Sequence, residues 1–213
     1  LTWSEGSRRI SREAVPGEFT WFYWLQVTAG PISGKMLYGP LMNTLITGII
    51  STVLALIAGG TLAWCVVRSN MPGKRWLQPI LTLPYILPSF AVALAWATVF
   101  RSPTVGGQPG LYEAILGIAP PEWPSYGVIP ISITLAIHYF PFAYLLVAGA
   151  LATIDSQMEE SALISGAGKL TILRRITFPV VAPAFVAALI LTFGKTIGQF
   201  ALPFLLGAPT QFH

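Results

Sequence analysis

The stretch Met36 to Val67, MLYGPLMNTLITGIISTVLALIAGGTLAWCVV, runs for 32 residues without a formal charge, and its reading decides the fold. A hydrocarbon core of ~30 Å is crossed by about 20 apolar residues rising ~1.5 Å each, so this stretch spans a membrane with length to spare. Three further uncharged runs follow: Trp76 to Phe100 with 25 residues, Trp123 to Ile154 with 32, and Ile176 to Gly194 with 19. Composition agrees, with 54% hydrophobic and only 9% charged residues, where a soluble domain carries roughly 25% charged. The chain reads as an all-α membrane protein with about four transmembrane helices.

Working outward from that stretch, residues 1–37 form a polar and aromatic lead segment on the outer side. Phe19, Trp21, Phe22, Tyr23 and Trp24 crowd its end, as suits rings at a membrane–water boundary. The spans run roughly 41–67, 76–100, 127–154 and 179–206, and residues 207–213 are an outer-side tail. Arg68 to Arg75 is a basic, turn-forming island between the first two spans. Pro79, Pro84 and Pro88 fall in the second. Inside lipid they remove backbone donors, which requires packed neighbours or water to serve the freed carbonyls. The chain starts at Leu1, and Leu1 to Gly17 lacks the order of a signal peptide, so it is expected to be a fragment of a longer, truncated protein.

Lys and Arg close to span ends set orientation. The loop 68–75 carries three, and the insertion 155–178 carries Lys169, Arg174 and Arg175. The opposite side has Lys35 and Arg101 nearby. Both basic loops are therefore expected in the cytoplasm, and both termini outside. The net charge of +4 describes these loops rather than a nucleic-acid surface, for no basic face with interleaved aromatics exists. Cys65 is the single cysteine, so no internal disulfide and no zinc spacing arise. No metal and no cofactor are expected.

The insertion reads DSQMEESALISGAGKLTILRRITFP from Asp155 to Pro179. Ser156 and Glu159 form a capping box that predicts a helix from about Gln157, with Glu159 and Glu160 favoured by the helix dipole. Gly166 and Gly168 can take the left-handed conformation that ends it. A second helix places Leu170, Leu173 and Ile176 on one side before Pro179 resets the backbone into the fourth span.

Here the sequence resembles the permease subunits of binding-protein-dependent ABC importers. Their EAA loop runs Glu-Ala-Ala, three residues, Gly, nine residues, Ile, one residue, Leu, Pro. Glu160, Ser161, Ala162, Gly166, Ile176, Phe178 and Pro179 stand at that spacing, with Ser161 for the first Ala and Phe178 for the Leu. Beyond the loop, Asn43-Thr44-Leu45, Ala63-Trp64, the Met71 to Arg75 turn, Leu83-Pro84, Ala95-Trp96 and the tail Gly198 to Gly207 are similar to the iron(III)-type branch. Thiamine, phosphonate, polyamine and sulfate permeases share the scaffold.

The resemblance implies a polytopic helical bundle of the ABC importer permease type in a bacterial inner (plasma) membrane. Its expected partners are an ATP-binding cassette ATPase subunit, a second permease half that is identical, paralogous or fused, an extracytoplasmic solute-binding protein and the lipid bilayer, with no nucleic acid. It also implies that the helix near Gln157 to Ser165 docks on the ATPase, with Glu160 anchoring it, Gly166 permitting the turn beneath and Pro179 fixing the exit angle.

Lys195, Gln199 and His138 are the candidate pathway residues. Lys195 is the permanently charged residue within a span, which marks function by default; snorkelling to the interface is the alternative reading. His138 reads as a packing residue or a ligand. Gly194 and Gly198 form a small-xxx-small pair suited to close helix contact. Gly168-Lys169 and Gly194-Lys195-Thr196 both fail the phosphate-loop pattern, so the chain is expected to be a transporter subunit without its own ATPase site. A proton-coupled secondary transporter is the rival class, and the spans hold no acid for its relay. An intramembrane enzyme would need a pair such as Ser89 or Ser132 with His138, present in composition only.

Overall fold

The computed structural model describes residues 21–31, 33–102 and 108–207. Most of the lead segment and the tail after Gly207 thus lie outside the described residues. All the regular elements among the described residues are helical, as the length and spacing of the apolar runs require.

The chain divides at Thr44 into two units. In the first, α1 spans Phe22–Ala29, and the hydroxyl of Tyr38 donates to the Thr28 carbonyl at 2.9 Å. A π turn over Gly34–Tyr38 leads into α2, Gly39–Arg68. The Gly39 N–H closes that turn on the Gly34 carbonyl, one residue before Pro40, whose ring would otherwise crowd the carbonyl four residues back.

The second unit begins at Leu45. After α2 come α3 (Lys74–Ile86) and α4 (Ser89–Val99), then the short α5 (Leu111–Leu116) and α6 (Glu122–Ser125). The long α7 spans Val128–Ala152, followed by α8 (Ser156–Ile164) and α9 (Lys169–Ile172). A second π turn, Leu173–Thr177, joins α9 to α10 (Phe178–Ile197), and α11 covers Ala201–Gly207.

Three helical stretches are long and apolar enough to cross a membrane: Gly34–Arg68, Val128–Ala152 and Lys169–Ile197. The predicted span 76–100 is not one rod. Its halves α3 and α4 are bent by 93°, because Leu87 is extended and Pro88, which lacks an N–H, starts α4 as its N-cap. The predicted fourth span differs at both ends. It starts earlier, since the helix runs unbroken from Lys169, and it is interrupted after Ile197, before α11 resumes at Ala201.

Helix α7 is the axis of this unit. Toward its C-terminal end, Tyr144, Val147 and Leu151 pack with Ala63 and Val66 of α2, Leu81 of α3 and Val181 of α10. Toward its N-terminal end, Ile131, Leu135 and Tyr139 pack with Ala93 of α4 and with Leu202 and Leu206 of α11. Van der Waals fit holds such helices in lipid, where the solvent is as apolar as the side chains. The closest approach is at Gly59 of α2: a Cβ there would lie 2.7 Å from the Phe140 carbonyl oxygen, the Tyr144 nitrogen and the Ala143 Cβ. Among the described residues the expected close-contact pair Gly194 and Gly198 does not play that part, since a Cβ at Gly194 meets none of them within 4 Å and one at Gly198 meets only the carbonyls of its own helix.

Some hydroxyls inside the bundle are served locally. The Thr52 hydroxyl donates to the Gly48 carbonyl at 2.7 Å and Thr134 to the Pro130 carbonyl at 2.6 Å. This back-bonding to the preceding turn removes the need for a distant partner.

Candidate functional site

The EAA-like segment folds as a helical hairpin, and each boundary has a local cause. Helix α8 starts at Ser156, with Asp155 as its cap: the carboxylate accepts from the Gln157 N–H at 2.9 Å. The capping box expected of Ser156 and Glu159 is thus replaced by a single side-chain cap one residue earlier, an aspartate being an equally good cap. The helix ends in a Schellman motif. The Gly166 N–H donates to the Leu163 carbonyl at 3.0 Å and the Ala167 N–H to the Ala162 carbonyl at 2.9 Å, with Gly166 at φ 82°. A residue bearing a Cβ is strained there. Gly168, expected to share that role, instead has extended backbone and caps α9.

Pro179 does not break the chain direction. The π turn Leu173–Thr177 closes with the Phe178 N–H on the Leu173 carbonyl, and Pro179 falls in the first turn of α10. The Ile176, Phe178 and Pro179 part of the motif is this junction.

Helical phase sorts the residues of α8 into two faces. Gln157, Glu160, Ser161 and Ile164 share one face, at the spacing of a single helical stripe, and all four are exposed, Ile164 to 88%. Glu159 and Ala162 share another and are half-buried. Glu160 is thus exposed, while Glu159 beside it turns toward Arg68 and Thr177.

Glu159 is the residue that sequence reasoning undervalued. Expected in a capping box and at the positive end of the helix dipole, its carboxylate is ion-paired with Arg68, the last residue of α2. It also accepts from the Thr177 hydroxyl at 2.9 Å. Thr177 is buried, at the end of the π turn. Neither Glu159 nor Thr177 is a specified position of the motif; the signal was Arg68, a cation at a span end that needs an anion if it is to sit against the membrane.

The pathway candidates lie apart from the hairpin. Lys195 and Gln199 flank the end of α10, Lys195 exposed in its last turn and Gln199 half-buried just beyond Gly198. A cation in that position complements the helix dipole. His138 is buried in α7, with Tyr139 and Tyr85 rings at 4.7 and 6.1 Å. Its Nδ1 is buried with no hydrogen-bond partner among the described residues.

The fold and this hairpin define a polytopic α-helical membrane protein with a helical loop presented outside the apolar spans. Residues 51–212 match the family described as binding-protein-dependent transport system inner membrane component, and the chain belongs to that family. It is 28% identical over 190 residues to a probable sulfate transport system permease protein of Chlorokybus atmophyticus, covering 89% of this chain and 62% of that one. Similarity to the sulfate transport system permease protein of Salmonella typhimurium is 28% over 165 residues, covering 77% and 57%. The molybdenum transport system permease protein of Escherichia coli is 28% identical over 152 residues, covering 71% and 63%. The chain spans about three-fifths of the length of these curated relatives. The expected iron(III)-type branch is corrected: these relatives are named for sulfate and molybdenum.

Proposed function

We propose that this chain is the membrane-spanning part of a permease subunit in an ATP-driven importer, docking through α8 on a separate ATPase. The observation that carries this reading is the outward face of α8. Glu160 and Ile164 stand exposed side by side with Gln157 and Ser161, on a short helix capped at both ends, outside the apolar spans. An apolar anchor beside a carboxylate is what a protein partner with a matching groove and cation recognises. The exposed Lys74, Arg75, Lys169, Arg174 and Arg175 support a cytoplasmic position for the hairpin by the positive-inside rule, on the side where ATP is available. A second permease half and a solute-binding protein outside complete the assembly, in a bacterial-type inner membrane.

The solute class that fits is a tetrahedral oxyanion of the sulfate kind. The names of the relatives support it, and Lys195, exposed at the end of α10, is the cation suited to attract it. The deciding experiment uses the full-length chain expressed with its ATPase. Glu160→Ala should reduce ATPase co-purification and uptake of radiolabelled sulfate by at least about tenfold, the value of a hydrogen bond to a charged group at a packed interface. Unchanged co-purification and uptake at normal expression would sink the docking model. Uptake competed by molybdate but absent with sulfate alone would move the solute to the molybdenum class.

A further inference from the structure

We infer that Glu159, Arg68 and Thr177 form the linkage through which displacement of α8 reaches the spans. This inference rests on the proposed docking of α8.

Adjacent residues on a helix point about 100° apart. A docking helix carrying Glu159 and Glu160 in sequence therefore directs one carboxylate outward and the other inward. The inward one is held by two elements that arrive from different directions: the guanidinium of Arg68 at the end of α2, and the hydroxyl of Thr177 where the π turn becomes α10. The ion pair is largely withdrawn from water, with side-chain exposures of 16% for Arg68 and 25% for Glu159. A charge-assisted contact so placed is worth more than a surface pair and is poorly replaced by solvent.

What surrounds the contact makes it decisive. No described residue of α8 belongs to either buried cluster. An open cavity of about 600 Å³ lies beside the pair, bordered by Trp64, Leu163, Lys169 and Leu170. Continuous packing does not tie α8 to the spans there; the carboxylate does. Gly166 and Gly168 bound the link to α9 on the other side, and neither presses on a neighbour where a Cβ would stand. A push on α8 is therefore delivered to α2 and α10 together, the two helices that flank α7 around its C-terminal half. These are positioning residues: none is offered as touching ATP or solute.

The test reconstitutes the complete transporter in liposomes and measures three quantities: ATPase co-purification, ATP hydrolysis, and uptake of radiolabelled sulfate. Glu159→Gln should keep the ATPase bound at the wild-type level while raising the ATP hydrolysed per sulfate moved by about tenfold, the loss of one charge-assisted bond. The exchanged pair Arg68→Glu with Glu159→Arg should restore the ratio to within about threefold, since one hydrogen bond to Thr177 is all that changes. A merely structural role would lower the amount of protein, not this ratio. Normal stoichiometry in Glu159→Gln overturns the inference. So does loss of co-purification equal to that of Glu160→Ala, which would make Glu159 part of the docking face. Should Glu159→Gln fail to accumulate, Arg68→Gln and Thr177→Val repeat the comparison from the other two corners, and a normal ratio in both overturns it. A wild-type chain that never holds the ATPase would overturn the functional reading, and the linkage with it, before any variant is compared.

Discussion

Helices α7 and α10 lie side by side, yet they are buried to very different degrees. Over its most apolar stretch α7 is 61% buried, while the helix containing α10 is only 22% buried, although it is the more apolar of the two. Apolarity in a membrane chain therefore reports contact with lipid as much as contact with protein. The better mark of a central helix is small and polar residues placed against neighbours. Helix α7 buries Ser132, Thr134, His138 and Tyr144, with Ala136 and Ala143 between them. The uncovered side of α10 carries Val186, Ile190 and Leu191, a surface suited to lipid or to the second permease half.

If α7 is the axis, the largest effect belongs to its tightest contact. Gly59→Leu forces a side chain into space already held by the α7 backbone and should cost at least about 3 kcal/mol by overpacking. It should be seen as loss of folded protein in detergent by fluorescence-detected gel filtration. A stable, correctly sized variant would deny the close approach of α2 and α7. A sharper contrast comes from paired truncations. Leu135→Ala in α7 should lower detergent thermal stability by about 2 kcal/mol, chiefly through the cavity it leaves. Ile190→Ala on α10 should fall within ~0.5 kcal/mol of wild type in the isolated chain. Equal losses would erase the distinction between the two helices.

Smaller changes should run the other way. The Tyr144 hydroxyl is buried without a hydrogen-bond partner among the described residues, so Tyr144→Phe is expected to raise stability by about 1 kcal/mol. A destabilised Phe variant in the same melt would mean that the hydroxyl has a use. Gly194→Ala meets open space on α10 and should gain a few tenths of a kcal/mol, up to ~1, from helix propensity. Loss of stability instead would show that a neighbour approaches there, as the small-xxx-small reading had it.

Much of this was legible from the residues, because in a bilayer backbone bonding must be satisfied within each segment and length alone then identifies a span. The helical hairpin was legible too, since Asp155 to Gly168 carries start and stop signals within one short loop. Three things were not. The 93° break between α3 and α4 falls at Leu87 and Pro88, and three prolines in one run do not say which of them bends the chain. The partner of Glu159 lies 91 residues away in sequence, beyond any local pattern. The glycine that matters for packing, Gly59, stands beside Gly60 in a uniformly apolar run, with nothing local to set it above Gly194.

The π turn before α10 has a consequence for alignment and for deletions. The buried positions from the hairpin into the span run Ile172, Thr177, Val181, Ala188, Thr192 and Thr196. Every step after the first is four or seven residues, the spacing of one helical stripe; the first is five. An i to i+5 turn holds one extra residue without leaving the helix, and that residue is what keeps Thr177 in line with both Ile172 below and Val181 above. Removing a residue such as Arg174 would leave an ordinary α-helix of unbroken hydrogen bonds, yet rotate everything beneath it by about 100° relative to everything above. In a loop such a deletion would be absorbed. Here it would turn Glu159 away from Thr177 while the span stayed intact, so the number of residues between Gly166 and Pro179 acts as a gauge of angle rather than of length.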